Sequence, residues 1–220
     1  MARSKSSKQW LQRHVSDRYV KQAREQGYRS RAAFKLIEID AREHLLRPGA
    51  RVLDLGAAPG GWAQVAAKKV GPTGRVIAID LLEFAPISGV TALRGDIRDA
   101  QAREALLEAL GGAADLVLSD LSPNLSGIAS ADQARAAELV ELATGLSLEV
   151  LKPTGALLVK VFQGEAFAGI LATLKRVFQS VSVRKPGASR GESRETYLLA
   201  RGPRPRKAGP SPLFAVQKRG

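Results

Sequence analysis

Lys160 sits inside an apolar run, Gly155-Ala-Leu-Leu-Val-Lys-Val-Phe-Gln-Gly164, that reads as a buried strand. An ammonium there is costly unless it is paired or loses its proton. The lysine is therefore a candidate either for a base or for a cation that steadies a developing negative charge. The plainer alternative is a stem lying along the sheet edge with its head in water. A second run, Asp115 to Ser119, leads into Ser119-Asp120-Leu-Ser-Pro-Asn, which sets Asp120 at a strand's carboxyl edge. The third candidate group is Arg51-Val-Leu-Asp54-Leu-Gly56-Ala-Ala-Pro-Gly60-Gly61-Trp62, a strand that ends in a glycine loop and opens a helix. Without Cβ atoms the loop can turn sharply and approach a ligand, and the helix start offers unpaired N–H groups. The spacing departs from the G-x-G-x-x-G of dinucleotide sites, and Asp54 stands at the loop entrance. A carboxylate there serves pyrophosphate poorly but suits a cofactor carrying an ammonium and a sulfonium. Asp80 closes the next strand, where it could accept both hydroxyls of an adenosine ribose. Asp96 follows the strand after that, near an adenine position. Each acid alone is an ordinary loop residue; acids after three successive strands form a pattern. Trp62 either walls the pocket or packs at the helix start, with its backbone N–H the better ligand candidate.

These residues need a scaffold that delivers strand ends to one edge. Apolar, β-rich runs at 51–55, 75–80, 90–93, 115–119, 156–161, 181–184 and 195–200 read as strands. Helical patterns separate most of them. One covers Glu165 to Gln179, with Phe167, Ile170, Leu171, Leu174, Val177 and Phe178 on one face; another covers about Ala131 to Leu151. Alternating strands and helices imply an α/β, Rossmann-like fold: a mostly parallel seven-stranded sheet, helices on both faces, ligands at the strands' carboxyl ends. The last two strands, joined by Lys185-Pro-Gly-Ala-Ser-Arg-Gly-Glu-Ser-Arg194 without a helix, are expected to form an antiparallel final pair.

The chain has 220 residues, 45% of them apolar, enough for one substantial core. It has no cysteine and only two histidines, His14 and His44, which excludes disulfides and thiolate chemistry and argues against a metal. No apolar stretch is long enough to span a bilayer, and the basic start leads into no signal-type segment, so a cytoplasmic location is expected. The net charge of +13 is unevenly spread. Residues 1–35 and 184–220 each hold ten Lys/Arg and two Asp/Glu, while residues 36–183 are net −3. A mildly acidic body with two basic ends suits a polyanion partner, because phosphate neutralisation supplies most sequence-independent affinity for nucleic acid. Aromatic residues make up only 5% of the chain, which favours recognition of shape and backbone over base stacking.

The motifs SRAAFKL around Lys35, DLGAAPGGW at Asp54–Trp62, SDLSPNLSG at Asp120, LVKVFQG at Lys160 and RKPGASRGESRETY leading to Glu195 closely resemble the FtsJ/RrmJ family of ribosomal RNA 2′-O-methyltransferases, over about Trp10 to Gly202. The resemblance implies a class I methyltransferase fold and S-adenosylmethionine as cofactor. The implied substrate is a uridine ribose of 23S rRNA within the assembled or assembling large ribosomal subunit. It implies a Lys35, Asp120, Lys160, Glu195 tetrad around the target hydroxyl and cofactor contacts from Gly60, Trp62, Asp80, Asp96 and Asp120, to which the chemistry of the loop adds Asp54 and Gly56. In-line methyl transfer needs the hydroxyl oxygen held behind the methyl group and its proton removed. Burial and Lys35 favour a neutral Lys160, Asp120 and Glu195 favour an ammonium, and both roles stay open. Tyr197 either shapes the pocket or packs in its strand. RNA contacts are expected from Lys5, Lys8, Arg29, Arg31, Arg184, Lys185, Arg190 and Arg194, which flank the tetrad members. The organisation read from the chain is a basic arm over 1–30, a methyltransferase domain over 31–202 and a basic Pro/Gly-rich tail over 203–220, as a monomer without a metal or membrane anchor. Three other readings compete. A small-molecule methyltransferase would leave the basic ends unexplained, a noncatalytic RNA-binding protein would not need Lys160, and a nicotinamide oxidoreductase is disfavoured by Asp54.

Overall fold

A computed structural model of the chain describes residues 17–124, 126–189 and 193–205. In chain order the elements are α1 (Arg18–Glu25), α2 (Ala32–Glu43), β1 (Arg51–Leu55), α3 (Gly61–Val70), β2 (Arg75–Asp80), β3 (Val90–Arg94), α4 (Ala100–Leu110), β4 (Ala114–Ser119), α5 (Ala129–Val150), β5 (Leu151–Phe162), α6 (Phe167–Val177), β6 (Phe178–Arg184) and β7 (Glu195–Pro203). The seven strands form one sheet in the order β3-β2-β1-β4-β5-β7-β6. The first five run parallel, and β7 pairs antiparallel with both β5 and β6. The sheet and its final antiparallel pair thus match the expected α/β architecture. Strand order reverses beside β1, so the carboxyl ends of β1 and β4 flank a crevice of the kind that takes ligands in open α/β sheets.

At two helix-to-strand junctions the boundary differs from the periodic reading. The helix expected over 165–179 ends at Val177, because fully buried Phe178 opens β6 opposite Pro203. An apolar residue in phase with a helical stripe is equally at home at a strand start, and periodicity alone does not separate the two. The long helix ends at Val150, and Leu151 pairs with Ala114 as the first residue of β5. The Lys152-Pro-Thr-Gly155 segment therefore lies within the strand, where the register shifts between Ala114 and Leu116.

Helices cover both faces, which is why the central strands are apolar almost throughout. One face buries Val52, Val76, Ala78, Leu116, Leu118, Ala156, Leu158, Tyr197 and Leu199 with α2 and α3. The other packs Leu53, Ile77, Val117, Leu157, Leu198 and Ala200 against α4, α5 and α6. Because side chains alternate along a strand, Asp54 and Lys160 fall in the first set, as carboxyl-end members of the rows under α2 and α3. The antiparallel course of β7 starts it at that same edge, with Glu195 opposite Phe162 and Tyr197 opposite Lys160. No helix among the described residues is long and apolar enough to cross a membrane.

Candidate active site

A cleft of about 330 Å³ opens at the carboxyl ends of β1, β2, β3 and β4, with Gly56, Ala58, Asp80, Leu82, Asp96 and Asp120 among the residues lining it. The glycine loop forms one side of it. Gly56 lies at φ 76°, and a Cβ there would come within 2.6 Å of the Leu121 side chain, so both its backbone and its neighbour demand glycine. Asp80 accepts the N–H of Ala58 at 2.9 Å through one oxygen and that of Leu82 at 2.8 Å through the other. These bonds tie the loop to the end of β2 and leave further acceptor capacity on the carboxylate. Asp96 accepts the Arg98 N–H at 2.9 Å and holds the turn after β3.

Asp54 is fully buried, and neither carboxylate oxygen has a hydrogen-bond partner among the described residues. Burial, then the nearby negative charges of Asp120 and Asp80, push its carboxyl up to about 8; the Ala63 N–H, near it but outside hydrogen-bond geometry, pulls the other way. An acid left without a counter-charge beside a glycine loop fits a positively charged ligand group, and the acids of the cleft fit a cofactor with an amine and ribose hydroxyls. Three expected cofactor residues sit differently: Asp54, fully buried, is not among the residues lining the cleft. Gly60 is covered by Ile87 and Arg29, and the Trp62 indole, 3% exposed, donates to the Ala32 carbonyl at 2.7 Å and packs on Tyr197. The tryptophan side chain thus braces α3 against α2 and does not wall the cleft.

Next to Asp120 the four expected tetrad residues come together from four elements. Lys160 Nζ donates to the Asp120 carbonyl at 2.7 Å and lies 3.3 Å from Asp120 Oδ1. Lys35, delivered by α2, pairs with Glu195 Oε1 at 2.7 Å. Tyr197 joins the two pairs: its hydroxyl is 2.8 Å from Asp120 Oδ1 and 3.2 Å from Glu195 Oε1. Burial, together with the two carboxylates, holds the Tyr197 phenol well above its ordinary range, so it stays a neutral donor. The result is a continuous polar chain, Lys160–Asp120–Tyr197–Glu195–Lys35, under an otherwise apolar sheet face. Ser189, which nothing in the sequence singled out, donates to Glu195 Oε1 at 3.0 Å. Glu38 was likewise missed: it accepts the Tyr19 hydroxyl at 2.8 Å and the Ala188 N–H at 3.1 Å, clamping α1 and the 185–189 loop to α2. The two Glu38 bonds span 19 and 150 positions and leave no local spacing to read.

The basic residues divide. Arg31 is engaged with Asp17 and the Ala188 carbonyl, Arg184 with Glu43 at 2.6 Å, and Arg29 with three backbone carbonyls. Lys185 and Arg194 are exposed, with Lys185 Nζ 3.2 Å from the Ser193 carbonyl. Lys5, Lys8 and Arg190 lie outside the described residues. A further hollow of about 260 Å³ lies at the opposite ends of β1, β4 and β5. Its Lys152 and Arg201 are paired with Asp115 and Glu43.

A parallel sheet closed by an antiparallel pair, with an acid-lined cleft at the carboxyl end of its first strands, defines a Rossmann-like methyltransferase. The chain belongs to the FtsJ-like methyltransferase family, whose match spans residues 28–203. It is 54% identical over 200 residues to the Azoarcus sp. protein named Ribosomal RNA large subunit methyltransferase E, covering 90% of this chain and 98% of the relative. Proteins of the same name from Marinobacter nauticus and Acidithiobacillus ferrooxidans are 50% and 52% identical, covering 92% and 91% of this chain and 98% and 91% of the relatives. Among solved structures, a Plasmodium falciparum protein described as a ribosomal RNA methyltransferase superposes with a TM-score of 0.73 at 30% identity, covering 81% of this chain and all of that one.

Proposed function

We propose that this enzyme catalyses S-adenosylmethionine-dependent 2′-O-methylation of a uridine ribose in 23S rRNA, on the assembled or assembling large ribosomal subunit in the cytoplasm. The observation that carries the reading is the buried polar chain from Lys160 to Lys35 beside the acid-lined cleft; the family and the names of its members support the substrate class. Gly56, Asp80, Asp96 and the backbone of the glycine loop would hold the cofactor, with Asp54 adding its charge from behind the loop. When bound, it supplies a methyl group on a positively charged sulfur and leaves as a neutral thioether.

The protein must then hold the target hydroxyl and accept its proton. Lys160 Nζ has two oxygens of Asp120 within reach, the carbonyl at 2.7 Å and Oδ1 at 3.3 Å. A neutral amine so held has its lone pair left for the hydroxyl's proton, whereas an ammonium has a third N–H left for the alkoxide. Either way Asp120 aims the amine, and Tyr197 and Lys35 fix the carboxylates. The basic surface beside α1 and the last loop would bring RNA to this edge.

The test is transfer of labelled methyl groups to large subunits from cells lacking this gene. The expected result is label on a ribose 2′-oxygen with wild type, reduced at least a hundredfold by Lys160→Ala while cofactor binding persists. Well-folded, cofactor-binding wild type that labels neither subunits nor free rRNA would overturn the reading.

A further inference from the structure

Residues 81–89 leave β2, cross the glycine loop and return to β3 without helix or strand structure. Leu81 and Leu82, 61% and 68% exposed, line the cofactor cleft at one end of this strap, and Ile87 lies over Gly60 near the other. Such a segment has few backbone bonds of its own to hold it: Leu82 donates to Asp80, Val90 to the Ile87 carbonyl, and Pro86 has no N–H. What grips its middle is Arg29. One terminal nitrogen donates to the Ala85 carbonyl and to the Pro59 carbonyl at 3.2 Å, and the other donates to the Pro86 carbonyl at 2.7 Å. Arg29 is itself fixed to α3, because its backbone N–H donates to Gln64 Oε1 at 2.9 Å and Gln64 Nε2 donates to the Gly27 carbonyl at 3.1 Å. One guanidinium therefore ties the segment before α2, the glycine loop and the strap into a single unit.

We infer that Arg29 is a positioning residue of the cofactor pocket, pinning the 81–89 strap over the glycine loop, and is not an RNA contact. The inference rests on the proposed cofactor reading. Three carbonyls arranged around a planar fork suit arginine and no other cation: a lysine ammonium keeps the charge but is too compact to span them. Attraction of phosphate, by contrast, is mainly a matter of charge and would survive that exchange.

This separates the two roles. Arg29→Lys and Arg29→Gln are compared with wild type and with Lys68→Ala, which removes a neighbouring exposed charge. S-adenosylmethionine and S-adenosylhomocysteine affinities are measured by calorimetry, rRNA affinity at saturating cofactor, and the rate of limited chymotryptic cleavage after Phe84 in the free protein. Both Arg29 variants should bind cofactor about tenfold more weakly and be cut in the strap at least tenfold faster, with rRNA affinity changed less than twofold and Lys68→Ala like wild type in cofactor binding. Unchanged cofactor affinity in Arg29→Lys, or unchanged strap cleavage in either variant, overturns the inference. Failure of wild type to bind either cofactor would sink the functional reading instead, and strap cleavage alone then decides the role of Arg29.

Discussion

Replacing Asp54 by Asn should make the empty protein more stable and its cofactor site worse. The carboxyl ionises at 3.8 when unperturbed and at about 8 in the fold. Below pH 4 it is protonated in both the folded and unfolded chain and costs nothing. Between those values folding takes up a proton, so stability falls by about 1.4 kcal/mol per pH unit as pH rises, and the full cost is reached above pH 8. At pH 7 this is about 4 kcal/mol. The Asn amide is also buried without partners and returns about 1–2 kcal/mol of that, leaving a net gain of about 2–3 kcal/mol. For a chain of this length the melting temperature should rise by roughly 5–10 °C. The assay is thermal unfolding of wild type and Asp54→Asn from pH 4.5 to 9, without cofactor. The variant's advantage should be absent at the acid end and grow with pH up to about 8. Calorimetry of S-adenosylmethionine binding at pH 6.5, in buffers of different ionisation enthalpy, should show proton release by wild type and none by the variant, whose affinity falls at least tenfold. A variant that melts at or below wild type at pH 8, or a difference that does not change with pH, would refute the reasoning.

Ser189→Ala removes the hydroxyl on Glu195 Oε1 while leaving the Lys35 pair; the turnover of methyl transfer should fall about threefold to tenfold with the Michaelis constant for cofactor unchanged, as steady-state kinetics would measure. Glu43 holds the end of α2 to β6 and β7, and the hydrogen bond from Arg184, opposed by burial and helped by Arg201, keeps its carboxyl below the ordinary range. Its contribution is present above pH 4.5 and is lost as pH falls through the lowered value. Glu43→Gln should therefore cost about 1–2 kcal/mol at pH 7 in urea unfolding, with the gap closing in acid.

Much of the site was legible because strand ends leave local marks. A carboxylate after an apolar run, as at Asp54, Asp80 and Asp120, and a lysine inside one, as at Lys160, are visible without a fold. The missing helix before Glu195 marked an antiparallel return, whereas β5 is apolar on both faces, so the face that takes Lys160 was decided only by packing. The side of Phe178 on which a helix gives way to a strand was not legible, because an apolar residue satisfies both periods until its burial partner, here Pro203 across the sheet, is known.

Charge and motif spacing by themselves determined that this chain is a basic-ended α/β protein with acids and a lysine brought to one sheet edge. Only the tertiary structure decided how those groups are employed. Tyr197 carries the link between Asp120 and Glu195, Trp62 braces a helix, and Arg29, Arg31 and Arg184 are engaged inside the protein although the sequence offers them as RNA contacts. The physical reason is range. Periodicity and turn chemistry act over a few residues, so sequence records them. A guanidinium chooses its carbonyls, and a phenol its carboxylates, among groups that approach only when distant segments pack; Arg31 and Ala188 are 157 positions apart.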